Sequence, residues 1–231
     1  MFNKGLFILG TDTNVGKTTI AVNLLSFLKK SGYSTVGLKP VSSGAQLTKD
    51  GLRNNDALAL QKEASIYLPY EQVNSFCFKL ATAPHIAAAQ QASQLNVAKI
   101  MDSFQPLLKI SADYWIIEGL GGAAVPLNRV ETMLDLLQVL NLPVILVVGL
   151  RLGCLNHALL TYEILKKRGI SIAACIVNQI EPDMQFHEEN SLYLKQSLDV
   201  PFFKVIDYQK KRALDFNIYI DWSDLINRKC G

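Results

Sequence analysis

The 231-residue chain predicts an α/β fold built on a doubly wound, mostly parallel sheet. Three observations carry this. Short runs of Val, Ile and Leu recur without the in–out alternation of a half-wet sheet, so both faces of each strand are covered. Stretches with helical spacing separate the runs, as right-handed βαβ crossovers require. No repeat, low-complexity tract or Pro/Gly-rich linker divides the chain, so residues 1–231 are expected to form one domain.

Leu6 to Leu9 reads as the first buried strand. Lys17 to Lys30 follows as a helix with Ile20, Leu24, Leu25, Phe27 and Leu28 at helical spacing and Gly32 as its stop. Thr35 to Leu38, Tyr114 to Ile117, Val144 to Val148, Ile172 to Val177 and, more weakly, Phe202 to Ile206 are the remaining strands, with a helix over Asn156 to Arg168.

Composition narrows the function classes. Apolar residues make up 49% and charged residues 19%, which excludes a disordered chain. Twenty-three basic against 20 acidic side chains give a net charge of +3, too even to advertise nucleic acid or an anionic membrane. The longest apolar run, Leu142 to Leu150, contains a proline and is far shorter than the roughly 20 residues that span a bilayer. Met1 to Gly10 lacks the pattern of an export signal. Four scattered cysteines (Cys77, Cys154, Cys175 and Cys230) form no CxxC, which fits reduced thiols in a cytoplasm. The three histidines are also dispersed, so any metal is expected to have oxygen ligands.

In doubly wound sheets ligands sit beyond the carboxyl ends of the strands, so the residues that follow each run matter most. After the first strand stands Gly10-Thr-Asp-Thr-Asn-Val-Gly-Lys-Thr-Thr19. A Gly-Lys-Thr that opens a helix directly after a strand is a phosphate-binding loop (P-loop). Its backbone N–H groups surround the anion, Lys17 reaches the β/γ-phosphates and Thr18 coordinates Mg²⁺. Five residues rather than four separate Gly10 from Gly16. After the second strand comes Lys39-Pro-Val-Ser-Ser-Gly44, which puts a lysine beside the expected triphosphate. Asp56, in Gly51-Leu-Arg-Asn-Asn-Asp56, reads equally as a helix cap or a metal ligand. Glu118 closes the third strand, where such proteins hold Mg²⁺, and Gly119, Gly121 and Gly122 beyond it let backbone approach a ligand. Asn156 stands where it could cap the helix after the fourth strand. Asn178-Gln179 follows the fifth; asparagine can read a purine edge, and it is also a common turn residue.

These blocks together resemble the dethiobiotin synthetase family, P-loop enzymes of biotin synthesis that are ATP-dependent. The likeness spans nearly the whole chain. It rests on Gly10–Thr18, whose five-residue spacer is the family's own, on Lys39–Gly44 and on Gly51–Ala57. Thr82-Ala-Pro-His85, Glu118–Gly122 and Leu152-Gly-Cys-Leu-Asn-His157 complete it. The resemblance implies Lys17 and Lys39 at the phosphates, with Lys39 catalytic, and Mg²⁺ held by Thr18, Asp56 and Glu118. It implies nucleotide contacts from Asn14, Val15, Gly16, Lys17, Thr18, Thr19, Asp56, Glu118, Gly119, Leu120, Gly121, Asn178 and Gln179. The diamine 7,8-diaminononanoate is expected near Ser43 and Gly121. Asn156 is expected to reach its carboxylate across a homodimer. Two departures stand out: Asn14 replaces the family's usual Glu, and Ile206-Asp-Tyr-Gln-Lys-Lys211 replaces a Pro-Trp-Leu that closes over the nucleotide, leaving Tyr208 to stack there.

Two other classes compete. A P-loop switch or partitioning ATPase shares the loop but calls for a membrane helix or a DNA-binding surface. A guanine-nucleotide switch calls for Asn-Lys-x-Asp, which Asn178-Gln-Ile-Glu181 is not. An amidotransferase-type synthetase needs a glutaminase portion for which the chain has no room.

Overall fold

A computed structural model describes residues 4–181, 183–205 and Trp222. In chain order the elements begin with β1 (Gly5–Gly10), α1 (Lys17–Lys30), β2 (Thr35–Leu38), β3 (Val41–Ser42), β4 (Gln46–Thr48) and β5 (Gly51–Arg53). Next come α2 (Asn55–Glu63), α3 (Tyr70–Val73), β6 (Phe76–Cys77), α4 (Pro84–Gln90) and α5 (Val97–Ser103), then a 3-10 turn at Gln105–Lys109. The chain continues with β7 (Tyr114–Glu118), α6 (Met133–Leu140), β8 (Val144–Leu150), α7 (Cys154–Lys167), β9 (Ile172–Gln179), α8 (His187–Ser197) and β10 (Phe202–Val205).

Six strands form one parallel sheet in the order β10-β9-β8-β1-β7-β2. The first crossover skips a strand, so β7 returns between β1 and β2 and β8 lies on the other side of β1. This is the doubly wound parallel sheet expected from the apolar runs. Neighbouring residues of β1 supply opposite cores. Leu6 and Ile8 pack with Ile20, Leu24 and Leu28 of α1, while Phe7 and Leu9 pack on the far side with Leu136 of α6 and Tyr162 and Leu165 of α7. Every residue of β1, β7 and β8 is buried, which explains their unbroken hydrophobicity.

The helix Lys17–Lys30 has its expected bounds. Ser31 caps its carboxyl end and Gly32 follows at φ +86°. The helix read from Asn156 starts two residues earlier, because Gly153 is its N-cap in the left-handed region. Asn156 therefore lies inside the first turn and is not the cap. Nor does Asp56 cap α2. Asn54 does, accepting from the backbone N–H groups of Asp56 and Ala57 at 3.1 and 3.2 Å. The last strand ends at Val205, and Ile206 lies outside the described residues.

Trp222 fills the α1 side of the sheet. It is buried in the cluster of Ile20, Leu24 and Ile176, and its indole N–H donates to Asn23 Oδ1 at 2.9 Å. Trp222→Ala is expected to destabilise the fold by about 3–5 kcal/mol, the range for truncating a buried aromatic. The urea midpoint reads this.

Candidate active site

The loop between β1 and α1 turns sharply enough to need two left-handed residues, Asn14 at φ +58° and Gly16 at φ +97°. Asparagine adopts that region more readily than most side chains, so Asn14 suits its conformation. A Cβ at Gly16 would fall 2.1 Å from Asn178 Nδ2, so backbone and amide are in close contact there. The Asn178 amide donates to the Val15 carbonyl at 2.9 Å and ties the loop to β9. Its Oδ1 is buried without a partner. Gln179 is the next residue and the last of β9.

Lys17 is buried and folds back over the loop, donating to the Asp12 carbonyl at 2.7 Å. Burial, reinforced by the nearby Lys39 charge, depresses its pKa from 10.5 to about 8. Thr18 opens α1 and its hydroxyl donates to Glu118 Oε1 at 2.8 Å. Thr19 follows within the first turn of α1.

Lys39 leaves β2 at the same sheet edge and is only 1% exposed. Its ammonium lies 2.6 Å from Glu118 Oε1 and 3.0 Å from Asp56 Oδ2. Burial alone would lower its pKa, but the Glu118 and Asp56 carboxylates together outweigh burial and raise it. β2 and β7 are register neighbours, with Leu38 opposite Ile117, so the residues that follow at their tips meet. Glu118 is 1% exposed, and its Oε2 has no partner. Gly119, Leu120 and Gly121 run on past the loop. A Cβ at Gly122 would lie 3.2 Å from the Thr11 carbonyl, and one at Gly121 would lie 3.8 Å from Thr13 Oγ1.

The structure thus brings Lys17, Thr18, Lys39, Asp56, Glu118 and Asn178 to one edge of the sheet. Ser43 lies beside this cluster, its carbonyl accepting from the Asn54 amide at 3.4 Å. Asn156 is exposed on α7 and takes no part in these hydrogen bonds. Tyr208 lies outside the described residues. Sequence reasoning missed Arg151, whose guanidinium pairs with the Asp12 carboxylate and links the tip of β8 to the loop. It also missed Tyr70 and Asn74. Their spacing of four on a helical turn puts both on one face, but nothing in it points to Lys39.

The donor set around Glu118 suits a hard divalent cation. Two carboxylates and a hydroxyl converge, and one carboxylate oxygen is buried and bare. Among the described residues no group of three or more His, Cys, Asp or Glu could hold a metal. Mg²⁺ generally uses one or two protein carboxylates and takes other ligands from water and phosphate.

Comparison with known proteins settles the family. A family model described as an AAA domain matches residues 4–212. The chain is 45% identical to the ATP-dependent dethiobiotin synthetase BioD of Cellvibrio japonicus over 98% of its own length and 100% of that protein. The chain belongs to the ATP-dependent dethiobiotin synthetase family. The enzyme of the same name from Pseudomonas paraeruginosa is 46% identical over 84% of this chain and 86% of its own. The cell division ATPase MinD of Pyrococcus furiosus superposes with a TM-score of 0.55, covering 98% of this chain and 99% of its own, at 17% identity. That likeness shows a shared P-loop fold. The partitioning-ATPase reading thus has the fold in common, but identity across nearly the full chain lies with the synthetases.

Within this family member the two buried lysines should respond oppositely to removal in nucleotide-free, metal-free protein. The fall of Lys17 from 10.5 to about 8 corresponds to roughly 3 kcal/mol against its charged form. Lys17→Met is therefore expected to stabilise by about 1–3 kcal/mol near pH 7, net of the lost bond to Asp12. The unfolded chain binds this proton more tightly. The gain is full below about pH 8 and disappears as pH rises to 10.5. Lys39→Met leaves Glu118 buried and unpaired and should destabilise by about 3–5 kcal/mol. Adding Glu118→Gln should recover most of that loss. Urea denaturation at pH 7 and pH 10 reads both effects.

Proposed function

We propose that this chain, as a single domain over residues 1–231, converts 7,8-diaminononanoate and CO₂ to dethiobiotin at the cost of ATP, releasing ADP and phosphate. The observation that carries this reading is the buried Lys39 ammonium, placed between Glu118 and Asp56 beside the Lys17 loop. Family membership supplies the substrate class.

In this reading one amine of the diamine captures CO₂ as a carbamate. A carbamate oxygen attacks the γ-phosphorus and ADP leaves. The second amine then attacks the carbamoyl carbon, which closes the ring and expels phosphate. Phosphoryl transfer asks the protein mainly for position and for positive charge on the equatorial oxygens. Lys17 and Lys39 supply that charge, with Lys39 catalytic. Thr18, Asp56 and Glu118 would hold Mg²⁺, which when bound would supply positive charge against the developing phosphate charge.

The nucleotide lies along Asn14, Val15, Gly16, Lys17, Thr18 and Thr19, and along Glu118, Gly119, Leu120 and Gly121. Asp56 reaches it with the metal. Asn178, with its bare buried Oδ1, accepts from the adenine amino group, and Gln179 flanks it. Ser43 and Gly121 face the diamine. A homodimer brings the partner's Asn156 to its carboxylate, a role that the exposure of Asn156 leaves open. We place the enzyme in the cytoplasm. In support, Cys77, Cys154 and Cys175 are unpaired thiols, and no helix among the described residues is long and apolar enough to cross a membrane.

The substrate provides the nucleophile, so no activated Ser or Cys is needed. Burial pushes the Cys175 thiol up to about 12, which makes it inert. An alkyl amine with a pKa near 10.4 is about one part in a thousand neutral at pH 7.4. Cationic surroundings from Lys17 and Lys39 lower that pKa and then stabilise the carbamate anion.

Phosphate release is expected to require ATP, the diamine and bicarbonate together. One charge pair at about 4 Å and an effective dielectric near 20 is worth roughly 4 kcal/mol, so Lys39→Gln should lose about a thousandfold in kcat. Release stimulated by DNA or lipid in place of the diamine would favour a partitioning ATPase. Sedimentation equilibrium reads the dimer.

A further inference from the structure

Lys39 and Asp56 meet through their side chains, and they are also joined from behind through buried backbone contacts. Asp56 rides on α2, whose cap is Asn54. The backbone N–H of Asn54 donates to the Tyr70 hydroxyl at 2.7 Å, and that hydroxyl donates to Asn74 Oδ1 at 2.9 Å. Asn74 in turn donates through Nδ2 to the Lys39 carbonyl at 2.5 Å. Ser42 donates to the same Asn74 Oδ1 at 2.7 Å, and the Lys39 N–H donates to the Val73 carbonyl at 2.9 Å. Tyr70, Asn54 and Asn74 are all buried, so water does not replace these bonds. Cys77 Sγ, 3.6 Å from the hydroxyl, is its other polar neighbour.

We propose that the Tyr70 hydroxyl, with Asn74, is a positioning strut that sets the spacing between Lys39 and Asp56 for phosphoryl transfer. The proposal rests on the reading of Lys39 and Asp56 given above. Its physical basis is that both residues are held through backbone by one hydrogen-bonded pair: Asp56 through the cap of its helix on the Tyr70 hydroxyl, Lys39 through its own carbonyl on the Asn74 amide. A flexible lysine side chain alone leaves many ammonium positions open. Fixing both ends of the path limits them, and a misplacement near 1 Å can lower a rate by about a hundredfold. The Arg53 guanidinium stacks 4.2 Å from the Tyr70 ring centre and holds the ring independently of its hydroxyl. Phenylalanine therefore keeps the packing and removes only the strut.

The test compares Tyr70→Phe with Asn74→Ala, which breaks the same path at its other end. Each is expected to lower kcat by about 10–100-fold, with the KM for ATP within about twofold, and the double variant to be no worse than the poorer single. In an Asp56→Asn background, measured by single-turnover phosphate release, the kcat effect of Tyr70→Phe should shrink to about twofold or less. Its shift in melting temperature should be the same in both backgrounds. Tyr162→Phe serves as the structural control. Tyr162 is also buried, and its hydroxyl accepts from the Asp199 N–H at 3.2 Å, away from Lys39 and Asp56. It should lose stability and keep kcat. A Tyr70→Phe effect on kcat of equal size in both backgrounds, or none at all beside an inactive Lys39→Gln, overturns the strut. Near-wild-type activity of Lys39→Gln overturns the assignment of Lys39 itself.

Discussion

The buried ion pair between Lys39 and Glu118 is the constraint on which the rest of the site depends. Two charged side chains, each 1% exposed, meet at 2.6 Å at the tips of adjacent strands. Removing both from water is expensive, and their attraction compensates only with good geometry and further hydrogen bonds. Here Glu118 Oε1 also takes the Thr18 hydroxyl, and the Lys39 ammonium also takes Asp56. One carboxylate oxygen thus ties together α1, β2 and β7, and Lys39 adds α2. Displacement of any one of these elements strands a charge, so the parallel register of the sheet and the electrostatics of its edge stabilise each other.

The sheet was legible because burial on both faces leaves so plain a mark. Runs such as Tyr114–Ile117 and Val144–Val148 fit no other element and end within two residues of the observed strands. The stretch between β2 and β7 was not legible. Its strands are two or three residues long, and β4 and β5 form a hairpin with Gln46 to Thr48 exposed, too short and too wet for any periodicity to show. Caps were not legible: Asp56 read equally as cap or metal ligand and Asn156 as a possible cap, whereas Asn54 and Gly153 are the caps. A left-handed glycine cap leaves no side-chain signature. At the site, residue type and place after a strand pointed to Lys17, Lys39 and Glu118. The Arg151–Asp12 pair and the Tyr70–Asn74 path join residues far apart in sequence, and only the fold brings them together.

The division between readable and unreadable parts matches a division in the molecule. The fold, with its sheet, α1 and the loop between them, is one that this chain has in common with a cell division ATPase at 17% identity over 98% of its length. Nothing in that shared frame distinguishes a switch from a synthetase. Asp56, Ser43 and the strut all come from the excursion between β2 and β7, together with the turn that carries Lys39 into it. In the proposed reading, the loop and α1 receive the nucleotide, and residues of the excursion face the second reactant.

The two buried lysines show how such an edge can be both stable and receptive. Lys39 has carboxylate partners and is held charged by them. Lys17 donates to the Asp12 carbonyl, and the attraction of the Glu118, Asp56 and Asp12 carboxylates is outweighed by the desolvation of its ammonium and the repulsion of Lys39. An ammionium so placed is destabilising until an anion arrives. In the proposed role of Lys17, a triphosphate would add negative charge beside it and raise its pKa again. Pairing both lysines with carboxylates would make the empty protein more stable and would leave the phosphate with no unpaired cation to meet. A site proposed to attract an anion thus keeps one cation with no direct carboxylate contact among the described residues, and the well-bonded Lys39 cluster beside it is what the fold can hold in place.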